Sequence, residues 1–336
     1  MSEGKVRAMW IWLALLMMAA SVVATLGIFG IVHRERAGEA NTKASLVGKT
    51  ILITGASSGI GREACKILAK RGARLILACR SVARTKMFAD DLRSMTGNED
   101  ILVMELDTSS LVSVRRFADK FLNRERSLDV LILNAGIYGT QRRHITSECL
   151  EMVMATNHFG HFLLANLLLG ALMMGKRSRI IVTASGLHRL CKSIDPTDLN
   201  FERTEFTPLL SYCQSKACNI LFTRHLAEIT RDTGVVVNAF CPGFVSTEMF
   251  EKTAGPIMST LQRVMLPFIG RTPWQGAQPL VHLAASKETE DITGEFFEDF
   301  KISSTTSDIV NDMELARLLW EASERLVKLK PKEKYY

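Results

Sequence analysis

The chain begins with one long apolar run and then alternates regularly between short apolar segments and amphipathic ones. From Ala8 to Val32, AMWIWLALLMMAASVVATLGIFGIV, 25 consecutive residues carry no formal charge. As a helix this run measures ~37 Å, more than the ~30 Å hydrocarbon core of a bilayer. Trp10 and Trp12 lie near one end, where interfacial aromatics belong. A cleaved signal peptide is the alternative, since Lys5 and Arg7 precede the run, but its apolar core spans only ~7–15 residues. The pattern predicts a short flank over 1–7 and a transmembrane anchor over 8–32. Arg34, Arg36, Lys43 and Lys49 follow the run, against Lys5 and Arg7 before it, which points to a cytosolic C-terminal part. Residues 33–48 are polar and show no apolar periodicity, so they read as a linker.

After Lys49 come short β-rich apolar runs at 50–54, 74–79, 101–106, 129–133, 179–184 and 235–240. Stretches with helical spacing separate them, among them Arg62–Arg71, Val112–Leu122 and Ala217–Ile229. Near-continuous apolar strands alternating with helices predict a parallel sheet covered on both faces. With right-handed crossovers, this is one α/β domain with a Rossmann-like, doubly wound parallel sheet. Glu295–Phe297 extends the sheet by a short strand. Phe159–Met174 is apolar enough to suggest a second span, but it is short and interrupted by His161 and Asn166, so it reads as a buried or dimer-forming helix.

Composition narrows this picture. Hydrophobic residues make up 47% and charged residues 23%, which suits a globular core and excludes a disordered or collagen-like chain. The net charge of +7 could favour an anionic ligand or a membrane surface, and by itself gives no reason to expect nucleic acid. Seven scattered cysteines (65, 79, 149, 191, 213, 218, 241), never spaced CxxC, argue against zinc ligation and a disulfide framework and favour a reducing compartment. No Asn-x-Ser/Thr sequon occurs. His144, His158, His161 and His188 lack metal-ligand spacing, so no metal is expected.

The first βα turn carries candidate chemistry. TGASSGIG (54–61) places Gly55, Gly59 and Gly61 between the first strand and its helix. Glycine is needed there for positive φ and for close approach of a pyrophosphate, and the helix N-terminus offers unpaired N–H groups to it. NAD-specific sites place a carboxylate ~20 residues further on, for the ribose hydroxyls. Here that stretch reads ACRS, with Arg80 and no acid, and Arg62 adds a second cation. Two guanidinium groups suit a 2′-phosphate, so NADP(H) is favoured over NAD(H); the alternative is two solvated surface arginines.

Further motifs follow in order: Asp107, Leu133-Asn134-Ala135-Gly136, Asn157 in TNHFG, Ser185, Tyr212-Cys-Gln-Ser-Lys216 and CPGFVST (241–247). Over roughly Lys49–Ala285 the set resembles the short-chain dehydrogenase/reductase family. GIGRE, LACRS, NHFGHFLL, GRTPWQGAQ and LWEASERLV look like its membrane-anchored retinol dehydrogenase branch. The resemblance implies a catalytic domain over 49–327 and catalytic roles for Asn157, Ser185, Tyr212 and Lys216, with Ser185 also binding substrate. It further implies cofactor contacts from Gly55, Ser57, Ser58, Gly59, Ile60, Gly61, Arg62, Arg80, Asp107, Asn134, Ala135, Gly136, Tyr212, Lys216, Pro242, Gly243, Val245 and Thr247. The chain departs from the family pattern at Leu133, Ala184 and Thr108, none of which is a catalytic position.

Tyr212 and Lys216, spaced i, i+4, share one helix face. A phenol titrates near ~10 in water, and a nearby ammonium is expected to lower it by ~2–3 units, towards the range of a useful proton donor and acceptor. Ser185 would hold the substrate oxygen, while Asn157 resembles the residue that positions a relay water near the lysine. The expected activity interconverts a lipophilic alcohol and its aldehyde or ketone, retinoid-like by resemblance. The alternatives are a steroid or lipid carbonyl reductase with the same residues, or a non-catalytic nucleotide-binding membrane scaffold.

A substrate lid is expected near 247–273, where 257–270 is apolar around Arg263; a membrane-dipping helix or plain core packing would explain the same stretch. The basic tail 328–336 reads as a solvated end, with anionic lipid as the alternative contact. Expected partners are the lipophilic substrate, the bilayer and a second copy in a homodimer. The expected membrane is the endoplasmic reticulum, with the catalytic domain facing the cytosol and a mitochondrial membrane as the alternative.

Overall fold

The computed structural model describes residues 3–40, 42–246 and 270–336. The apolar run forms a single helix, α1 (Glu3–Glu35), on which Trp10, Trp12, Leu16 and Met17 are exposed. Among the described residues, the domain leaves these side chains uncovered.

The domain follows as β1 (Thr50–Thr54), α2 (Gly59–Lys70), β2 (Arg74–Cys79), α3 (Val82–Thr96), β3 (Ile101–Glu105), α4 (Leu111–Leu122) and β4 (Val130–Leu133). Next come α5 (Met152–Met173, with a π-helical turn at Ala155–Phe159), β5 (Arg179–Thr183), α6 (Pro208–Ile229) and β6 (Val236–Cys241). The chain ends with α7 (Pro273–Ala285), β7 (Phe296–Glu298), β8 (Lys301–Ile302) and α8 (Met313–Leu326).

The sheet order is β3-β2-β1-β4-β5-β6-β7-β8, parallel throughout except for β8. The chain reverses direction across the sheet between β1 and β4, so the crevice at their C-terminal ends is the topological switch point at which this architecture binds ligands. Strand alternation divides the core: Leu52 faces a cluster with Phe117, Phe162, Leu221 and Trp320, while Ile51 and Ile53 face one with Leu68, Leu77, Phe88 and Leu280.

The helices differ from the periodicity in instructive ways. α2 begins at Gly59, three residues earlier than expected, because the glycine turn feeds directly into it. α6 begins nine residues earlier than the apolar spacing indicated: Thr207 caps it, accepting from Leu210 N–H, and Pro208 occupies its first turn. α5 is buried inside the fold, with Phe159, Phe162, Leu163 and Leu164 all within the core.

Two segments expected to be free of the domain are packed on it. In the 33–48 stretch Ala37, Ala40 and Leu46 are buried, and Ala40 N–H donates to Gln278 Oε1 over 3.0 Å. At the C-terminus Arg115 pairs with Glu333 at 2.6 Å, and Tyr335 packs over Gly170. Lys334 bonds Glu324 at 2.5 Å, so at least one of the tail's lysines is held by the fold.

Candidate active site

The site is built from the ends of β1, β4, β5 and β6. Thr54, the buried last residue of β1, accepts from the N–H groups of Asn134 (2.8 Å) and Ala135 (2.9 Å). One hydroxyl thus locks the turn after β4 against the turn after β1. His161 stands behind it: Nδ1–H donates to Asn157 O at 3.2 Å, leaving Nε2 to accept from the Thr54 hydroxyl at 3.0 Å. Burial, reinforced by the charge of Lys216, lowers His161 to about 3, which keeps it the neutral relay this geometry requires.

The glycines of the first turn have specific work. Gly55 has φ +67°, and a Cβ there would lie 2.9 Å from Ala135 Cα; at Gly61 it would lie 2.4 Å from Gly55 O and 2.7 Å from Asn134 Nδ2. Ser58 sits at the N-cap of α2 but makes no side-chain cap bond, whereas Ser81, Ser110, Thr207, Thr272 and Asp312 each cap their helices. The first N–H groups of α2 are therefore left without a side-chain acceptor, beside a concave glycine surface. Arg80, Ser81 and Arg84 line the same cavity further along. Bare helix N–H groups, a turn that a side chain would fill and two cations beyond it fit the pyrophosphate and adenosine end of a dinucleotide.

At the other end, Ser185 follows β5 and caps the short turn Gly186–Leu190, its Oγ accepting from Leu187 N–H at 3.2 Å. Its side chain also hydrogen-bonds that of Tyr212 on α6. Lys216, one turn on, donates from Nζ to Thr183 O at 3.0 Å, and its ammonium lies 5.6 Å from the centre of the Tyr212 ring. Tyr138 tilts over Tyr212 with ring centres 5.3 Å apart. Both catalytic candidates are buried, and burial favours their neutral forms: Lys216 falls to about 8, and the Tyr212 phenol is pushed up, opposed by the Ser185 hydrogen bond. The expected lowering of the phenol by the ammonium is not what the protein alone shows: desolvation dominates, and the opposing influence is the Ser185 hydrogen bond.

A cavity of about 1020 Å³ joins these parts. Of the residues singled out in the sequence, Gly55, Ser57, Ser58, Gly59, Ile60, Arg80, Asn134, Ala135, Gly136, Ser185, Tyr212, Lys216, Pro242, Gly243 and Val245 line it. Gly61 lies just behind the turn. Asn157 supports the wall: its Oδ1 accepts from Ile137 N–H and its Nδ2 donates to Ile137 O and Ser215 Oγ, so the side chain itself is fully engaged with protein. Arg62 points elsewhere, its guanidinium 4.7 Å above the Phe88 ring and 3.9 Å from Asp91. The Asp107 carboxylate accepts from Ser109 N–H and Oγ, as a turn cap does. Thr247, Arg263 and the expected lid, apart from its last residues, lie outside the described residues.

The sequence reading missed several lining residues. Arg84, in the first turn of α3, follows Arg80 by four residues, a legible signal. Arg189, Arg271, Glu298 and Asp299 also line the cavity, as two ion pairs, Arg189–Glu298 and Arg271–Asp299, each 2.5 Å. Their separation along the chain left no sequence signal. Among the described residues no cluster of His, Cys, Asp or Glu could hold a metal ion.

Fold and site together define a dinucleotide-binding oxidoreductase architecture with a Ser–Tyr–Lys constellation. The chain belongs to the short-chain dehydrogenase family: the family profile described as short chain dehydrogenase matches residues 49–191 and 202–256. Human retinol dehydrogenase 13 is 38% identical over 295 residues, covering 87% of this chain and 88% of that protein. Human retinol dehydrogenase 14 is 40% identical over 296 residues, covering 84% and 87%. Among solved structures, an uncharacterised protein from Mycobacterium Paratuberculosis superposes with a TM-score of 0.68 at 31% identity, covering 87% of this chain and 97% of its own. A protein from Beutenbergia cavernae described as an NAD(P)-dependent gluconate 5-dehydrogenase, solved with bound NADP, gives 0.60 at 25% identity, covering 76% and 96%. The protein is thus an oxidoreductase related to retinol dehydrogenases, on a fold that binds NAD(P).

Proposed function

We propose that the protein is a membrane-anchored, NADP(H)-dependent oxidoreductase that interconverts a lipophilic alcohol and its aldehyde or ketone. The observation that carries this reading is the convergence of Ser185, Tyr212 and Lys216, from two separate elements, on one end of a cavity whose other end is the glycine turn. The nicotinamide cofactor supplies the hydride chemistry. Ser185 and Tyr212 hold the reacting oxygen, and Tyr212 moves its proton: the phenol donates in the reductive direction, and the phenolate accepts in the oxidative one. Lys216, anchored on Thr183 O, keeps positive charge near the phenol and a donor towards the cofactor ribose. Asn134 and Thr54 hold the two turns together, and Asn157 shapes the wall beside Lys216.

NADP(H) preference is supported by Arg80 and Arg84 at the adenosine end, where no carboxylate among the described residues lines the cavity. Arg62 adds nothing to that argument, since it stacks on Phe88. The membrane reading is supported by α1, whose exposed apolar length exceeds what a bilayer core requires, with the endoplasmic reticulum and a cytosolic catalytic domain as the expected placement. Kinship with proteins named retinol dehydrogenases favours a retinoid or similar lipid aldehyde as substrate.

The test is NADPH oxidation by the detergent-solubilised full chain with all-trans-retinal, beside NADH and the variant Tyr212→Phe. Turnover with NADPH that collapses in Tyr212→Phe is the expected result. NADPH binding without reduction of retinal or of any member of a wider aldehyde and ketone panel would overturn it.

A further inference from the structure

The C-terminal end of α1 does not stop at the domain surface. Phe29, His33 and Arg36 line the same cavity as Tyr212 and the glycine turn. The last four carbonyls of a helix lack partners within its regular ladder; here the following turn meets three of them, and the domain meets His33 O and adds a second donor to Arg34 O. His33 O accepts from Arg271 Nε and Nη2, at 3.1 and 3.0 Å, and Arg34 O accepts from Gln275 Nε2 at 3.4 Å. In return, Arg34 Nε donates to Gly270 O at 2.9 Å, and His33 Nε2 accepts from Phe244 N–H at 3.1 Å.

Arg271 is the centre of this contact. It is only 1% exposed, and besides His33 O it bonds Pro242 O at 3.3 Å and the Asp299 carboxylate at 2.5 Å. Gly243, at φ +81°, leaves the room it occupies, since a Cβ there would lie 2.5 Å from Arg271 Nη1. One buried guanidinium thus ties the anchor helix, the cofactor-side turn after β6 and the β7–β8 turn. Burying an arginine is costly unless every donor is met, so a flexible tether would gain nothing from it.

The position of this joint along α1 matters. The uncharged run ends at Val32 and is followed by Arg34 and Arg36, which sets the bilayer surface at about that level. Phe29 lies one turn inside the apolar run, yet its half-exposed ring stacks on His33 (ring centres 5.5 Å apart) and lines the cavity.

We propose that the last two turns of α1 and the residue after them, Phe29–Arg36, are a wall of the active-site cavity, clamped by Arg271, and that lipophilic substrate passes from the headgroup level of the bilayer along Phe29 into the site. This rests on the membrane-anchored oxidoreductase reading above, and deepens it by assigning the anchor a role in substrate selection.

The test uses the full chain in phosphatidylcholine nanodiscs, in two arms. In the first, trypsin is added: a clamped joint protects the Arg34 and Arg36 sites, and Arg271→Met speeds cleavage there about tenfold, with the milder Arg271→Lys lying between. Rapid cleavage of the wild-type chain at Arg34 and Arg36 overturns the clamp, and this arm needs no activity. In the second, Phe29→Ala and Phe29→Trp are compared using all-trans-retinal and propanal. Phe29→Ala raises the KM for retinal about tenfold, at least five times more than it raises that for propanal, with the bulkier Trp restoring most of the loss. Retinal affinity is also read directly, by quenching of tryptophan fluorescence. Equal effects on both aldehydes, or none, overturn the wall. If the wild type binds NADPH and reduces neither aldehyde, the proposed function falls, while trypsin protection and retinal binding still decide this inference.

Discussion

The Lys216 ammonium donates to the carbonyl oxygen of Thr183, the last residue of β5, over 3.0 Å. The same carbonyl accepts from Asn219 Nδ2 at 3.2 Å. Lys216 is therefore held by the end of the strand that Ser185 follows two residues later, so both groups are referenced to one rigid element.

Removing the phenol oxygen tests the centre of the mechanism. Tyr212→Phe is expected to lower kcat by about 10²–10⁴-fold, the usual scale for a positioned proton donor, while NADPH still binds. Single-turnover rates and an NADPH fluorescence titration separate the two effects.

Ser185 should reveal itself in the pH profile. Its hydrogen bond favours the phenolate of Tyr212, so Ser185→Ala raises the phenol further. Alcohol oxidation needs the phenolate, and the rising limb of log kcat/KM therefore moves to higher pH in the variant. A limb that stays in place would show that Tyr212 is not the group being titrated.

Cofactor choice separates the three arginines. Hydrogen bonds to charged groups are worth about 1.5–3 kcal/mol, so Arg80→Ala or Arg84→Ala should weaken NADPH binding roughly tenfold to a hundredfold, and NADH binding far less. Arg62→Ala should instead cost about 0.5–1 kcal/mol of stability through its lost stacking on Phe88, with little change in NADPH affinity. Calorimetric titration with both cofactors, alongside thermal melts, distinguishes these outcomes.

Gly61→Ala tests the turn. Its Cβ would press on Gly55 O and Asn134 Nδ2, and such overpacking costs about 1–3 kcal/mol. A lower melting temperature together with weaker cofactor binding is expected; an unchanged variant would mean the turn relaxes freely.

Buried neutral histidines give the fold an acid limit. His158 donates from Nδ1 to Asn219 Oδ1 and accepts at Nε2 from Ser323, and burial lowers it to about 4; His161 lies at about 3. Both values are below the ordinary 6.5, so the unfolded chain binds protons first. Their contribution to stability is complete above about pH 6.5 and is lost as pH falls through 4 and then 3. Denaturant melts across this range should show that slope, and His158→Asn should flatten it.

Much of this was legible in the chain. Strand periods and helical spacing set the α/β alternation, because burial on both sheet faces demands near-continuous apolar strands. Gly55, Gly61, Ser185, Tyr212 and Lys216 could be picked out because turns, strand ends and one helix face constrain residue type locally. What only the tertiary structure decided depends on contacts far apart in sequence. Arg62 and Arg80 look alike along the chain, yet one stacks on Phe88 and the other lines the cavity. The phenol of Tyr212 rises rather than falls because its desolvation is set by the whole packed site. The polar 33–48 stretch joins the domain because a buried Arg271, more than 220 residues along the chain from it, meets the carbonyl of His33. Local pattern encodes which face of an element is buried; the partner that buries it is a property of the assembled fold.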